Sequence, residues 1–365
     1  MLTRSLVRAL AGLAALVLVV AACGVQPGSS AAGPGPSAAG PGPSIAGPCS
    51  AHPAAEGGCS LTVGLGYIPS VQFAPFYLAQ QNGYYAQEGL AVTFQNKIDP
   101  DLVTLVGQGS IDIGVADGTS VIPAVSQGIP IKYVATIYGT YPSIVFAKKA
   151  SGIATAADLK GRKIGIPGRY GSSWIMLQAL LGSANLSPDD VTIVEYPDFG
   201  QGVAVQQGAV DAATGFANNE PVQLEAAGTP AVVLHVDKVV ALPGPGLITG
   251  TKLLDTNTTA VTRFVSATLR AMDEIAADPA KGLDAAIAAV PELASGRDTQ
   301  LRILQATIAT WAPPGPTSGG GSTTFGAIDR TGWQASIDFM SKLGLVPNPV
   351  TVDRLVQDVG IPPAG

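Results

Sequence analysis

Apolar residues recur along this chain at two spacings that alternate. Short apolar runs predict strands at Leu61–Leu65, Leu90–Gln95, Ile111–Val115, Lys132–Ile137 and Ser143–Ala147. Between them the spacing widens to that of a helix face. It predicts helices over Ala74–Gln81, Pro100–Val106 and Ser120–Ser126, with Gly83, Gly107 and Gly128 at or near their C-caps. Strands alternating with helices imply βαβ units and a mainly parallel sheet.

The same grammar restarts at Thr155, where Thr155 and Asp158 have the spacing of a capping box. Strands at Lys163–Ile166, Val191–Glu195, Asp211–Phe216 and Ala231–His235 then alternate with helices at Ser172–Leu181, Gly202–Gln207 and Asn219–Ala226. Two successive α/β units predict two similar lobes. After one more strand at Leu247–Gly250, helices are predicted at Thr258–Ala277, Ala280–Ala289, Thr299–Trp311, Ile328–Leu343 and Val352–Val359, interrupted by a glycine-rich break at Pro313–Ser322. The least knotted place for these helices is back on the first lobe.

The start of the chain reads differently. Arg4 and Arg8 precede an apolar run from Ala9 to Val20, too short to span a bilayer and suited to an export signal. Val20-Ala21-Ala22-Cys23 resembles the lipobox of bacterial lipoproteins, which implies lipidation at Cys23 and an anchor on the outer face of the cytoplasmic membrane. Residues 23–59 are rich in Ala, Gly, Pro and Ser, with AAGPGPS twice in tandem, and are expected to be a tether without a core. The expected lobes are then 60–142 plus 247–365, and 143–246. In an exported chain Cys49 and Cys59 are expected to pair in a disulfide closing a short loop, the alternative being two free thiols.

Charge and composition exclude several functions. The chain carries 20 basic and 26 acidic residues, a net charge of −6, which argues against a nucleic-acid partner. His52 and His235 are the only histidines, so neither a Cys/His metal cluster nor a Ser/His pair within one site is expected. No cofactor, no metal and no catalytic residue is expected. Of 21 aromatic residues, six fall within residues 66–90: Tyr67, Phe73, Phe76, Tyr77, Tyr84 and Tyr85.

Six stretches in order carry a family resemblance: Gly66-Tyr-Ile-Pro69, Gly83 to Leu90, Val106 to Val115, Gly128-Ile-Pro-Ile131, Asp158 to Gly165 and Asn219-Glu-Pro221. Over about residues 60 to 345 the chain resembles the type II periplasmic binding proteins, the solute receptors of ABC importers. The branch it resembles includes receptors for nitrate, taurine, alkanesulfonates, thiamine pyrimidine precursors and riboflavin. Gln72 to Tyr77 and Asn218 to Pro221 are similar to riboflavin receptors. The resemblance implies an α/β, two-lobe type II fold with extra C-terminal helices on the first lobe. It also implies a monomer that captures a small planar heteroaromatic solute and delivers it to an ABC permease, closing by hinges near Tyr141–Ile144 and Leu242–Ile248. The alternatives are a receptor for a small anion, or an enzyme of the thiamine-pyrimidine-synthesis type, whose cysteine-rich motif this chain lacks.

In open α/β sheets ligands bind beyond the carboxyl ends of strands. Tyr67, Phe73 and Phe76 are expected to offer aromatic faces, with Gln72 and Tyr138 in neighbouring loops; core packing is the competing role for both phenylalanines. Asp117, Asn218, Asn219 and Glu220 are expected to accept from or donate to ring polar groups, although Asp117 is equally suited to cap a helix and Glu220 to its first turn. The loop Gly168 to Ser173 opens a helix. Arg169 in it suits an anion, while Tyr170, Ser172 and Ser173 suit a neutral polar ligand equally. Tyr77, Tyr84 and Tyr85 are expected to be scaffold.

Overall fold

The computed structural model describes residues 45–51, 58–96, 102–240, 242–311 and 325–360. The expected export signal, Cys23, the tandem AAGPGPS repeats and the Pro313–Ser322 break lie outside the described residues.

The first lobe is built on β1 (Ile45–Pro48), β2 (Gly58–Gly64), β3 (Leu90–Gln95), β4 (Ile113–Ala116) and β5 (Ile131–Thr136). Its helices are α1 (Ala74–Gln81), α2 (Tyr84–Gln87), α3 (Leu102–Gln108) and α4 (Gly118–Ser126). The chain crosses to the second lobe through residues 137–142. There β6 (Ser143–Lys148), β7 (Lys163–Ile166), β8 (Thr192–Glu195), β9 (Ala212–Phe216) and β10 (Ala231–His235) alternate with α5 (Gly171–Ser183), α6 (Gln201–Gln207) and α7 (Glu220–Ala226). It returns through β11 (Gly246–Gly250) and ends in α8 (Thr251–Ala277), α9 (Pro279–Ala289), α10 (Arg297–Trp311), α11 (Arg330–Lys342) and α12 (Val352–Leu355).

In the first sheet β2 pairs in parallel with β1, β3 and β4. The returning strand β11 lies between β4 and β5, antiparallel to both, and so locks the second crossing into the centre of the first lobe. The second sheet runs β10-β6-β9-β7-β8, with β7 parallel to β8 and β9, and β6 antiparallel to β9 and β10.

The predicted helix starting at Thr258 has a visible cause. Asn257 breaks α8 with non-helical angles, and its Oδ1 accepts from the Ala260 N–H at 3.0 Å, capping the long second segment. That segment buries Phe264, which stacks on Tyr85 with centroids 4.9 Å apart and planes 4° from parallel. Phe76 packs on Phe264 and Phe94 and is 2% exposed. Tyr77 also meets Phe94, while Arg270 lies over the Tyr84 ring. These rings staple the C-terminal helices to the first lobe.

The tether ends earlier than its composition suggests. Ile45–Pro48 forms a strand against β2, and Cys49 is fully buried and bonded to Cys59. Pairing with an existing strand and a covalent link hold an Ala/Gly/Pro segment that could not form a core alone. The short helix α2 also went unpredicted, because Gly83, at φ +70°, both ends one helix and precedes the next.

Candidate functional site

The loops after β2, after β4 and in the first crossing converge on loops after β7, β8 and β9 of the second lobe. Gly66, at φ +70°, turns the chain sharply after β2, and a Cβ there would press on Leu102 at 3.0 Å. The turn sends Tyr67 to the second lobe. Its ring meets Phe199 edge to face, with centroids 4.9 Å apart and planes at 87°. Its hydroxyl accepts a long hydrogen bond, 3.5 Å, from Asn219 Nδ2. Burial and the nearby Glu220 carboxylate push the Tyr67 phenol up, so it stays a neutral hydroxyl.

Phe199 was missed by sequence reasoning. It sits in the loop between β8 and α6 at φ +60°, a left-handed conformation that costs a non-glycine residue about 1–2 kcal/mol. The Phe199 N–H donates to Tyr196 O at 2.9 Å and the Gly200 N–H to Asp198 Oδ1 at 3.1 Å, which hold the turn. An aromatic residue inside Tyr196-Pro-Asp-Phe199-Gly200, just past a strand's carboxyl end, was the available signal.

Beside this pair lies a buried amide cluster. Asn218, 1% exposed, donates from Nδ2 to Gln72 Oε1 at 2.8 Å and to Thr307 Oγ1 at 2.9 Å. Gln72 belongs to the turn before α1, Thr307 to α10 and Asn218 to the second lobe, so three remote segments meet here. The Tyr138 phenol is buried with them and interacts with Asn218 and Thr307; burial pushes it up. Thr307 was also missed, since nothing local distinguishes it from other helix threonines.

A second cluster centres on Asp117. Its Oδ1 accepts from the N–H groups of Thr119, at 2.9 Å, and Ser120, at 3.3 Å, capping α4. Its Oδ2 accepts from the Tyr141 hydroxyl at 3.2 Å, tying the first crossing to that cap. Burial pushes the Asp117 carboxyl up, opposed by these bonds. Tyr141 also reaches Ser172 at the start of α5. Ser172 and Ser173 are both half-buried there.

Glu220 folds back under the end of β9. Its Oε2 accepts from the Phe216 N–H at 2.8 Å, and a Cβ on Gly215 would collide with its carboxyl at 2.8 Å. Burial raises its pKa from 4.5 to about 7, against the main-chain N–H groups of Phe216 and Glu220.

Four of the expected site residues are placed otherwise. Phe76 is a core residue, because the C-terminal helix supplies Phe264 as its partner. Phe73, 8% exposed, packs in the same core. Arg169 does not turn to the other lobe. Its Nε donates to Glu195 Oε1 at 3.2 Å, and its guanidinium lies 5.2 Å from the Trp174 ring centre. Tyr170 is 42% exposed, its ring folded back over Gly168.

Two lobes, two crossings and a returning central strand define the type II periplasmic-binding-protein fold. The alkanesulfonate-binding protein SsuA from Xanthomonas axonopodis pv. citri, bound to MOPS, shares it with a TM-score of 0.64 and 20% identity over 82% of this chain and 98% of that one. Within that class, residues 70–282 match the family described as NMT1/THI5 like, and the chain belongs to that family. The riboflavin-binding protein RibY of Chloroflexus aurantiacus is 34% identical over 306 residues, covering 83% of this chain and 86% of that protein. The 4-amino-5-hydroxymethyl-2-methylpyrimidine phosphate synthase THI13 of Saccharomyces cerevisiae is 30% identical over 249 residues, covering 64% of this chain and 72% of that one.

Proposed function

We propose that this protein is the solute-capturing receptor of an ABC importer, lipid-anchored at Cys23 on the outer face of the cytoplasmic membrane. It takes a planar heteroaromatic solute, of the riboflavin or aminopyrimidine kind, and delivers it to the permease. The observation that carries the reading is the contact of Tyr67 with Phe199 across the lobes. A flat ring entering between them exchanges that one contact for two, one on each lobe. This is the differential affinity that favours a closed receptor. The similarity to RibY supports the same class of ligand.

Electrostatics support a heterocycle over an anion. The buried carboxyls of Asp117 and Glu220 lie in the lobe-facing loops, and the cation expected in that region, Arg169, is engaged by Glu195. Such a site disfavours sulfonate and welcomes ring N–H and NH2 donors. The similarity to synthases keeps catalysis in view. However, Cys49 and Cys59 are bonded to each other at the edge of the first lobe, away from these loops.

The test is direct. The protein as purified is scanned for flavin absorbance and emission, then titrated calorimetrically with riboflavin, 4-amino-5-hydroxymethyl-2-methylpyrimidine and taurine. Saturable binding of one heterocycle is expected. Tight binding of taurine with no response to either heterocycle refutes the reading.

A further inference from the structure

We infer that the Asn218 side-chain oxygen is a specificity-determining acceptor, set by Thr307 of the C-terminal helix α10, that requires an N–H donor on the solute's ring. The inference rests on the receptor reading above and narrows its ligand class. It begins with an orphan: Asn218 is 1% exposed, yet its Oδ1 accepts no hydrogen bond from any described residue. Buried amide oxygens are nearly always paired.

The amide is held in this orientation by its neighbours, and the Tyr138 phenol lies beside it and Thr307. The Thr307 hydroxyl spends its one hydrogen on Ile303 O, one turn back in α10, at 2.7 Å. Its oxygen is thereby left as an acceptor, and Asn218 Nδ2 fills it at 2.9 Å. The second hydrogen of Nδ2 goes to Gln72 Oε1 at 2.8 Å, while Gln72 Nε2 donates to Ser70 Oγ at 3.2 Å. Donation thus runs outward from Asn218 on two arms, through Thr307 to Ile303 O and through Gln72 to Ser70. Both Nδ2 hydrogens are used, and the oxygen is held at the junction of the lobes, next to Asn219, whose own amide reaches Tyr67.

An acceptor fixed in this way pairs with the imide or amino N–H of a heteroaromatic ring and leaves a ring that presents only acceptors unpaired. The discrimination comes from desolvation, since a buried oxygen left without a donor loses its water without replacement. A helix of the C-terminal extension, remote in sequence from every lobe-facing loop, sets the site's polarity.

The experiment is calorimetric titration of the intact protein with two matched pairs of probes. One is riboflavin and 3-methylriboflavin; the other is 4-amino-5-hydroxymethyl-2-methylpyrimidine and its dimethylamino analogue. For whichever parent binds, the methylated partner is expected to bind at least about tenfold more weakly. Asn218→Ala is expected to bind parent and methylated probes within about threefold of each other. Thr307→Val is expected to narrow the gap partway, by freeing the amide to rotate. Thermal unfolding of each variant checks that it is folded, and the wild-type comparison stands without them. Equal affinity of parent and methylated probe for the wild type overturns the inference and leaves the receptor reading intact, because an amide turned the other way would present a donor. A gap that persists in Asn218→Ala overturns it too. If neither parent binds, the receptor reading falls and this inference with it.

Discussion

Tyr67 and Phe76 lie in one aromatic segment, yet they should fail in opposite ways when truncated. Tyr67 is half-buried at the margin of the first core, meets the Phe199 ring edge to face, and holds one long hydrogen bond. Tyr67→Ala should therefore cost stability only on the scale of one aromatic pair, about 0.5–1.5 kcal/mol. Its loss of ring stacking on a bound heterocycle is worth about 1–3 kcal/mol, or about 5- to 140-fold in Kd. Phe76 is 2% exposed and wedged between Phe94 and Phe264. Phe76→Ala leaves a core cavity and should cost about 3–5 kcal/mol of stability, with affinity within about twofold of wild type where the variant is folded. The assay is urea unfolding followed by circular dichroism, paired with calorimetric titration of the bound heterocycle at low temperature. An unchanged Kd for Tyr67→Ala would remove it from the site. A Phe76→Ala variant that is stable but binds poorly would place Phe76 there, against the packing described.

Three further outcomes follow from single features. Glu220 has its pKa raised from 4.5 to about 7, so the native state holds its proton more tightly than the unfolded chain. Stability should accordingly fall as pH rises from about 4.5 to about 7, by up to about 3 kcal/mol, and Glu220→Gln should flatten that slope in unfolding curves taken across the window. Cys49 and Cys59 are ten residues apart and joined; the double serine variant should lose about 3 kcal/mol and melt lower, whereas an unchanged melting temperature would mean that the bond adds nothing to the strand it holds. Arg169 is paired on the surface with Glu195, so Arg169→Ala should shift stability by less than about 1 kcal/mol and leave heterocycle affinity unchanged in titration; a large loss of affinity would restore its role toward a charged solute.

What the sequence determined by itself was local. Runs of two periods, glycine stops and caps marked the strands and helices, down to Ala74–Gln81, Lys163–Ile166 and Ala231–His235 with the bounds seen in the structure. These signals are legible because they arise between residues a few positions apart. Asn257 capping Ala260 is such a case. The positions of the lobe-facing loops were legible for the same reason, since a strand's end is a local event.

Only the tertiary structure decided which side chains in those loops face the other lobe. Phe76 and Tyr67 look alike in the sequence, but a partner in α8 draws one inward, while the turn at Gly66 sends the other to Phe199. Asn218 meets Gln72 across 146 positions and Thr307 across 89, and no periodicity records such distances. Arg169 had a role in the site only until Glu195 and Trp174 were found beside it. Helix and strand patterns report which face an element buries, but the identity of what it is buried against is settled when remote segments compete for the same surface. The candidate site is made of those remote meetings.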